Sequence, residues 1–123
     1  MAGSLVIKLT CGTDTTESLE RTAQALTVAS TAAAAGIPVS LWLTGDATFL
    51  ATPMYAERLT LAHAASFAAL RDTLLAEATV TVCTQCAARR ALTETDLLPG
   101  ARIAGAPSFV EESLAEGAQA LVY

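Results

Sequence analysis

The chain has 123 residues, of which 53% are hydrophobic and 15% are charged, so it can bury a substantial core as one domain without disulfide or metal support. Its mean hydropathy of +0.48 excludes an intrinsically disordered protein. The formal net charge is −5 and no basic cluster is present, which argues against nucleic acid or an anionic membrane surface as a partner.

The first half of the chain alternates between strand and helix patterns. An aliphatic strand is predicted over residues 4–10 (SLVIKLT). A long alanine-rich helix follows, and Asp14 with Glu17 three residues later predicts its N-terminal capping box. Gly36 is placed to end this helix, and residues 37–43 (IPVSLWL) predict the second strand.

The same alternation continues to the end of the chain. The further predictions are helices over 64–76, 85–91 and 107–116, and strands over 79–83, 101–104 and 118–123. Five strands separated by four helices predict an α/β fold, with a five-stranded, mainly parallel sheet in a three-layer α/β/α arrangement. We predict a single domain over residues 1–123, because no linker, repeat or low-complexity segment interrupts the pattern.

Cysteines stand where reactive groups gather in a parallel sheet, at the carboxyl ends of strands. Cys11 follows the first strand, Cys83 closes the third, and Cys86 falls in the first turn of the next helix. Unpaired N–H groups and the helix dipole stabilise a thiolate at such a position. We therefore predict Cys83 as a nucleophile with a lowered pKa. Cys11 is interpreted as a small buried residue, whereas Cys86 is either a packing residue or a second reactive thiol.

Three residues are predicted to support the thiol. Arg89 and Arg90 would add positive charge if either folds back toward the sulfur of Cys83. Gly12 lies between the first strand and the long helix, where a backbone N–H could hold an anion, although a tight turn is the simpler interpretation. The other polar candidates are interpreted as surface, turn or solvated residues, namely His63, Asp46, Arg58, Arg71, Arg102, Glu111, Glu112 and Glu116.

The Cys-x-x-Cys spacing also allows two other interpretations. Thioredoxin-like redox proteins carry this motif after an early strand, whereas here it follows the third. A structural zinc site needs four ligands, which would require distant loops to converge, and the available residues are Cys11, His63, Cys83 and Cys86. We therefore expect no metal site.

The beginning of the chain and the cysteine content both favour a cytoplasmic protein. Met1 to Ser4 lead directly into apolar residues without a basic region, and no apolar segment reaches the roughly 18 residues of a membrane span. Three cysteines, an odd number, fit thiol chemistry in a reducing compartment better than a disulfide framework.

The segment from Thr79 to Leu97 (TVTVCTQCAARRALTETDL) resembles the DsrE family of sulfur-relay proteins. In that family an apolar strand ends in a cysteine, followed by a helix of small residues, a basic pair and an acidic turn. These features match Cys83, the pair Arg89 and Arg90, and residues 94–96. The resemblance extends in order over essentially the whole chain, through residues 10–14, 36–46 and the closing strand.

The resemblance implies an α/β/α protein that forms trimers or hexamers and carries sulfane sulfur as a persulfide. Carried over to this sequence, the sulfur acceptor is Cys83, the partners are donor and acceptor proteins of the relay, and no cofactor is expected. Cys86 has no equally firm counterpart in the relay subunits. The sequence departs from the family pattern at Ala47 and Thr48 and at Ala91, where glycine is common.

Two alternatives remain open from the sequence. The chain could be a non-catalytic oligomeric binding module of the same fold. It could instead be a dithiol redox protein, in which Cys86 expels the sulfur from Cys83 as sulfide and leaves a disulfide.

Overall fold

The computed structural model describes residues 3–123 and confirms the predicted α/β fold; Met1 and Ala2, part of the start discussed above, lie outside the described residues. The strands are β1 (Ser4–Leu9), β2 (Val39–Leu43), β3 (Thr79–Cys83), β4 (Ala101–Ala104) and β5 (Ala118–Val122). They form one sheet in the order β4-β3-β2-β1-β5, and every neighbouring pair is parallel. The helices are α1 (Thr16–Ala34), α2 (Phe67–Glu77), α3 (Thr84–Arg89) and α4 (Ala106–Ser113).

Hydroxyl caps set the starts of the two long helices and correct two predicted boundaries. The N-cap of α1 is Thr15, one residue after the predicted Asp14, and its Oγ1 accepts a hydrogen bond from the Ser18 N–H at 3.0 Å. Helix α2 begins three residues later than predicted, because Ser66 caps it in the same way. His63 has a φ of 60°, a left-handed conformation that a helix cannot include.

The end of α1 agrees with the prediction. The helix ends at Ala34, and Gly36 follows its cap with a φ of 80°. This left-handed conformation is the one that favours glycine. The irregular stretch that follows β2 contains two short 3-10 turns, Gly45–Ala51 and Ala56–Arg58, which no sequence period predicted.

The apolar core lies on one face of the sheet, between the strands and the helices α1 and α2. Side chains alternate along each strand, so every second residue points to this face. The alanines of α1 bring its backbone close to the sheet, because they add little side-chain volume. Fully buried members of this core are Ile7, Leu9, Ala25, Leu26, Ala29, Leu41, Leu43, Phe67, Leu74 and Val82.

The opposite face of the sheet carries polar side chains and packs against α4. The ring of Phe109 on α4 meets Trp42 on β2 edge-to-face, with 5.4 Å between ring centroids. The carboxylate of Glu112 accepts hydrogen bonds from Ser40 Oγ at 2.5 Å, Trp42 Nε1 at 3.1 Å and Arg102 Nη2 at 2.6 Å. The sequence pattern suggests that Glu112 and Arg102 are surface or solvated residues. These hydrogen bonds show instead that the two side chains pair with each other over the polar face of the sheet.

Arg71 on α2 is also not solvated, contrary to the sequence prediction. Only 7% of its surface is exposed, and its two Nη atoms donate to the carboxylate of Glu57 at 2.8 and 2.7 Å. Its Nε donates to Asp72 at 3.0 Å. A buried guanidinium requires such partners, and Glu57 comes from a 3-10 turn that the sequence pattern did not predict.

Candidate functional site

Cys83 ends β3 and is the N-cap residue of α3, with an extended backbone at φ −62° and ψ 130°. Strand alternation places its side chain on the polar face of the sheet, together with Thr81 two residues earlier. The residue is partly exposed. It makes no conventional side-chain cap hydrogen bond, since sulfur is a weak and large acceptor, but the backbone N–H groups of Gln85 and Cys86 act on it from the first turn of α3.

The pKa of the Cys83 thiol is lowered from its ordinary value. Burial is the largest single influence and raises this pKa, because desolvation disfavours the thiolate. The N–H and the thiol of Cys86, the N–H of Gln85 and the positive charge of Lys8 all favour the thiolate. Together they outweigh burial, so the structure holds a partly exposed cysteine poised to ionise.

Lys8 is the charged residue at this site that the sequence reasoning missed. It belongs to β1, which is separated from β3 by β2, and it pairs in register with Trp42, which in turn pairs with Thr81. Its Nζ lies 4.8 Å from the centroid of the Phe109 ring. Lys8 is the only lysine of the chain and the only charged residue of its strand, a signal that could have identified it.

The two predicted arginines do not supply the charge at the sulfur. Arg90 folds toward the loop after β2, where its Nε donates to Asp46 Oδ1 at 2.9 Å, and its Nη1 donates to the carbonyl of Cys86 at 3.1 Å. Arg89 is the last residue of α3 and is exposed. The expected role of positive charge therefore falls to Lys8, whereas Arg90 ties α3 to the neighbouring loop.

Gly12 lies in the loop between β1 and α1, next to two aspartates. Its carbonyl accepts a hydrogen bond from Thr22 Oγ1 at 3.4 Å. A Cβ at this position would lie 3.3 Å from the Cβ of Asp46 and 3.6 Å from Oδ1 of Asp14. Two neighbouring carboxylates repel an anion, which argues against anion binding at this glycine.

Cys11 and His63 lie apart from the reactive cysteine. The Cys11 thiol donates to the carbonyl of Ser18 at 3.6 Å, contacts Thr22 Oγ1 at 3.5 Å and packs against the apolar core. His63 is exposed. Across residues 3–123, no three His, Cys, Asp or Glu side chains are grouped as a metal site. Over that same range, no helix combines the length and hydropathy needed to cross a bilayer.

The family model described as the DsrE/DsrF-like family matches residues 9–122. The chain belongs to the DsrE/DsrF-like family. Its fold is similar to the crystal structure of the ychN protein from E. coli, with a TM-score of 0.71, 14% identity and full coverage of both chains. It is also similar to MTH1491, a protein of unknown function from Methanobacterium thermoautotrophicum, with a TM-score of 0.66, 10% identity and coverage of 98% of this chain and 99% of that one. None of the curated proteins matches the chain.

Replacing Lys8 by methionine is expected to slow alkylation of Cys83 at neutral pH. The substitution keeps the aliphatic stem beside Phe109 but removes the charge that favours the thiolate, so the pKa of Cys83 rises. We expect the rate with iodoacetamide, followed on the Cys83 peptide by mass spectrometry, to fall roughly threefold. Arg89→Met is the matched control and should leave the rate unchanged. Equal rates for both variants would contradict the role assigned to Lys8.

Proposed function

We propose that the chain is a sulfur-relay protein that accepts sulfane sulfur as a persulfide on Cys83 and passes it to a thiol of a partner protein. The single observation that carries this proposal is a partly exposed cysteine, Cys83, whose thiol has a lowered pKa at the carboxyl edge of the sheet. Membership of the DsrE/DsrF-like family supports the same class of activity.

The chemistry requires little beyond this thiolate. The Cys83 sulfur attacks the outer sulfur of a donor persulfide, and the electron pair of the broken S–S bond leaves with the donor thiolate. Transfer to the acceptor repeats the exchange with Cys83 as the leaving thiolate. A persulfide is anionic near neutral pH, so the Lys8 charge and the two N–H groups that favour the thiolate favour this intermediate as well. The exchange needs no net oxidant or reductant and uses no cofactor, and a reducing compartment such as the cytoplasm keeps the thiols available.

Exposed apolar side chains on α4, on its C-cap residue Leu114 and on β5 support assembly into a homo-oligomer as part of this proposal. Val110 is 52%, Leu114 81% and Val122 66% exposed, and β5 is an edge strand of the sheet. Exposed apolar groups and an unpaired edge are features that proteins cover by association. Light scattering should therefore return the mass of a trimer or hexamer, and a monomer mass at micromolar concentration would contradict this part.

Mass spectrometry of the intact protein tests persulfide formation directly. Fully reduced protein is mixed with glutathione persulfide without oxygen, freed of excess donor and sampled at once. We expect the wild-type protein to gain the mass of one sulfur atom, and Cys83→Ser to gain none. Cys11→Ala is the matched control, because it removes a thiol from the core side of the sheet and should still gain the sulfur.

The unfavourable outcomes are equally distinct. An equal gain in Cys83→Ser would place the acceptor elsewhere. No gain in any variant would leave the non-catalytic binding module of the same fold. Where the wild-type protein does take up sulfur, addition of a small acceptor thiol should return it to its original mass. A loaded protein that does not react with that thiol would contradict a role in relay.

A further inference from the structure

Cys86 is the second thiol of the site and occupies a defined position relative to Cys83. Cys83 is the N-cap of α3 and Cys86 is its third residue, so the two lie one helical turn apart on one side of the helix. Side chains at this spacing have Cβ atoms about 5–6 Å apart, against about 3.5–4.5 Å in a disulfide. A backbone shift of about 1–2 Å at Cys83, the N-cap residue outside the helix proper, closes that gap. Cys86 is 9% exposed, so it is far less accessible to external donors than Cys83.

We propose that Cys86 is a resolving thiol, which releases the sulfur carried by Cys83 as hydrosulfide when no acceptor thiol takes it first. This inference rests on the proposed persulfide on Cys83 and extends the fate of that intermediate. It assigns the buried thiol a chemical role in addition to packing.

The reaction balances without a cofactor. The sulfur of Cys86 attacks the inner sulfur of the Cys83 persulfide, and an S–S bond forms between the two cysteines as the outer sulfur leaves. The electron pair of the broken bond goes with the outer sulfur, and the Cys86 thiol proton ends on it, which gives HS⁻ from a persulfide anion. The two cysteine sulfurs are oxidised to a disulfide while the sulfane sulfur is reduced to sulfide. An external dithiol reductant returns the disulfide to two thiols.

The surroundings of the two cysteines favour this direction of attack. The thiol of Cys86 lies one helical turn from Cys83 and favours its thiolate, so it neighbours the inner sulfur of a persulfide. Arg90 Nη1 binds the carbonyl of Cys86 and so fixes the backbone that carries the attacking thiol. A neighbouring thiol in the same molecule has a large entropic advantage over a free one. Cys11 has no such access, because it contacts α1 residues on the core face of the sheet.

The test follows the lifetime of the persulfide in the full chain. Wild-type protein, Cys86→Ala and Cys11→Ala are loaded with glutathione persulfide without oxygen, freed of excess donor and followed by intact mass and by assay of released sulfide. In the wild-type protein and in Cys11→Ala we expect the added sulfur to disappear as sulfide appears in equal amount. The final mass should lie two hydrogen atoms below that of the reduced protein, and peptide mapping should show a Cys83–Cys86 disulfide. Cys86→Ala should keep its persulfide at least tenfold longer.

Each other outcome has a single meaning. A wild-type persulfide as long-lived as that of Cys86→Ala would overturn the resolving role and leave the proposed relay function intact. Failure of every variant to take up sulfur would overturn the relay function, and the resolving role with it. If Cys86→Ala folds poorly, as circular dichroism would show, Cys86→Ser replaces it as the variant without a thiol and is judged by the same persulfide lifetime.

Discussion

Replacing Trp42 by alanine is expected to lower the free energy of unfolding by about 3–5 kcal/mol, among the largest effects of any single substitution in this chain. Trp42 is 2% exposed, lies on the central strand β2, and packs its ring against Phe109 of α4. Its indole N–H also donates to Glu112 at 3.1 Å. The substitution removes a large apolar surface and leaves a cavity between the sheet and the helix.

The variant Trp42→Phe distinguishes the contribution of ring packing from that of the indole hydrogen bond. Phenylalanine retains an aromatic contact with Phe109 but cannot donate to Glu112, whose carboxylate keeps Ser40 and Arg102 as partners. We expect this variant to lose about 1–2 kcal/mol. Urea unfolding followed by circular dichroism measures both variants, because Trp42 is the only tryptophan and fluorescence would disappear with it. Equal losses for the alanine and phenylalanine variants would show that packing against α4 contributes little.

Replacing Trp42 by alanine should also lower the reactivity of Cys83. Phe109 contacts both Trp42 and the ammonium of Lys8, whose charge helps to lower the pKa of Cys83. Without the Trp42 ring, Phe109 loses a packing partner, and the Lys8 ammonium that contacts Phe109 is held less firmly. Slower alkylation of Cys83 in Trp42→Ala than in Trp42→Phe, under conditions where both are folded, is the expected result.

Local sequence signals predicted the parts of the fold that depend on neighbouring residues. The aliphatic run that ends at Cys83 and the helix start after it are contained in a few consecutive residues, so the placement of this thiol at the carboxyl edge of the sheet could be predicted. Gly36 likewise ends α1 through its own backbone conformation. The alternation of strands and helices predicted the parallel arrangement, and the resemblance to the DsrE family, confirmed over residues 9–122, implied the same fold.

Contacts between distant residues could not be predicted in the same way. Ser40 and Glu112 are 72 residues apart, and their hydrogen bond depends on α4 crossing the polar face of the sheet. Lys8 reaches the site of Cys83 only because β1, β2 and β3 are consecutive in the sheet, an order that the sequence left open. Arg71 looked solvated for the same reason, since its partner Glu57 belongs to an irregular segment.

The Arg71–Glu57 pair is expected to make the stability of this protein sensitive to acid. The guanidinium of Arg71 lowers the pKa of Glu57 from 4.5 to about 2, chiefly through their hydrogen bonds. A carboxylate with a depressed pKa in the folded state contributes stability that is fully present above its unfolded pKa. That contribution is lost as the pH falls from about 4.5 through about 2, because the folded protein must then take up a proton that the unfolded chain already binds.

Arg71→Met removes the guanidinium while keeping an apolar stem of similar length on the buried side of α2. We expect this variant to be less stable than the wild-type protein at neutral pH, and the difference to shrink steadily between about pH 4.5 and pH 2. Glu112, whose pKa is also lowered, titrates in both proteins and cancels in the comparison. Arg21→Met is the matched control, because its pair with Glu17 is exposed on α1 and should leave the pH profile unchanged. Urea unfolding at each pH gives these differences, and a stability gap between Arg71→Met and the wild-type protein that stays constant with pH would show that Arg71 acts by packing alone.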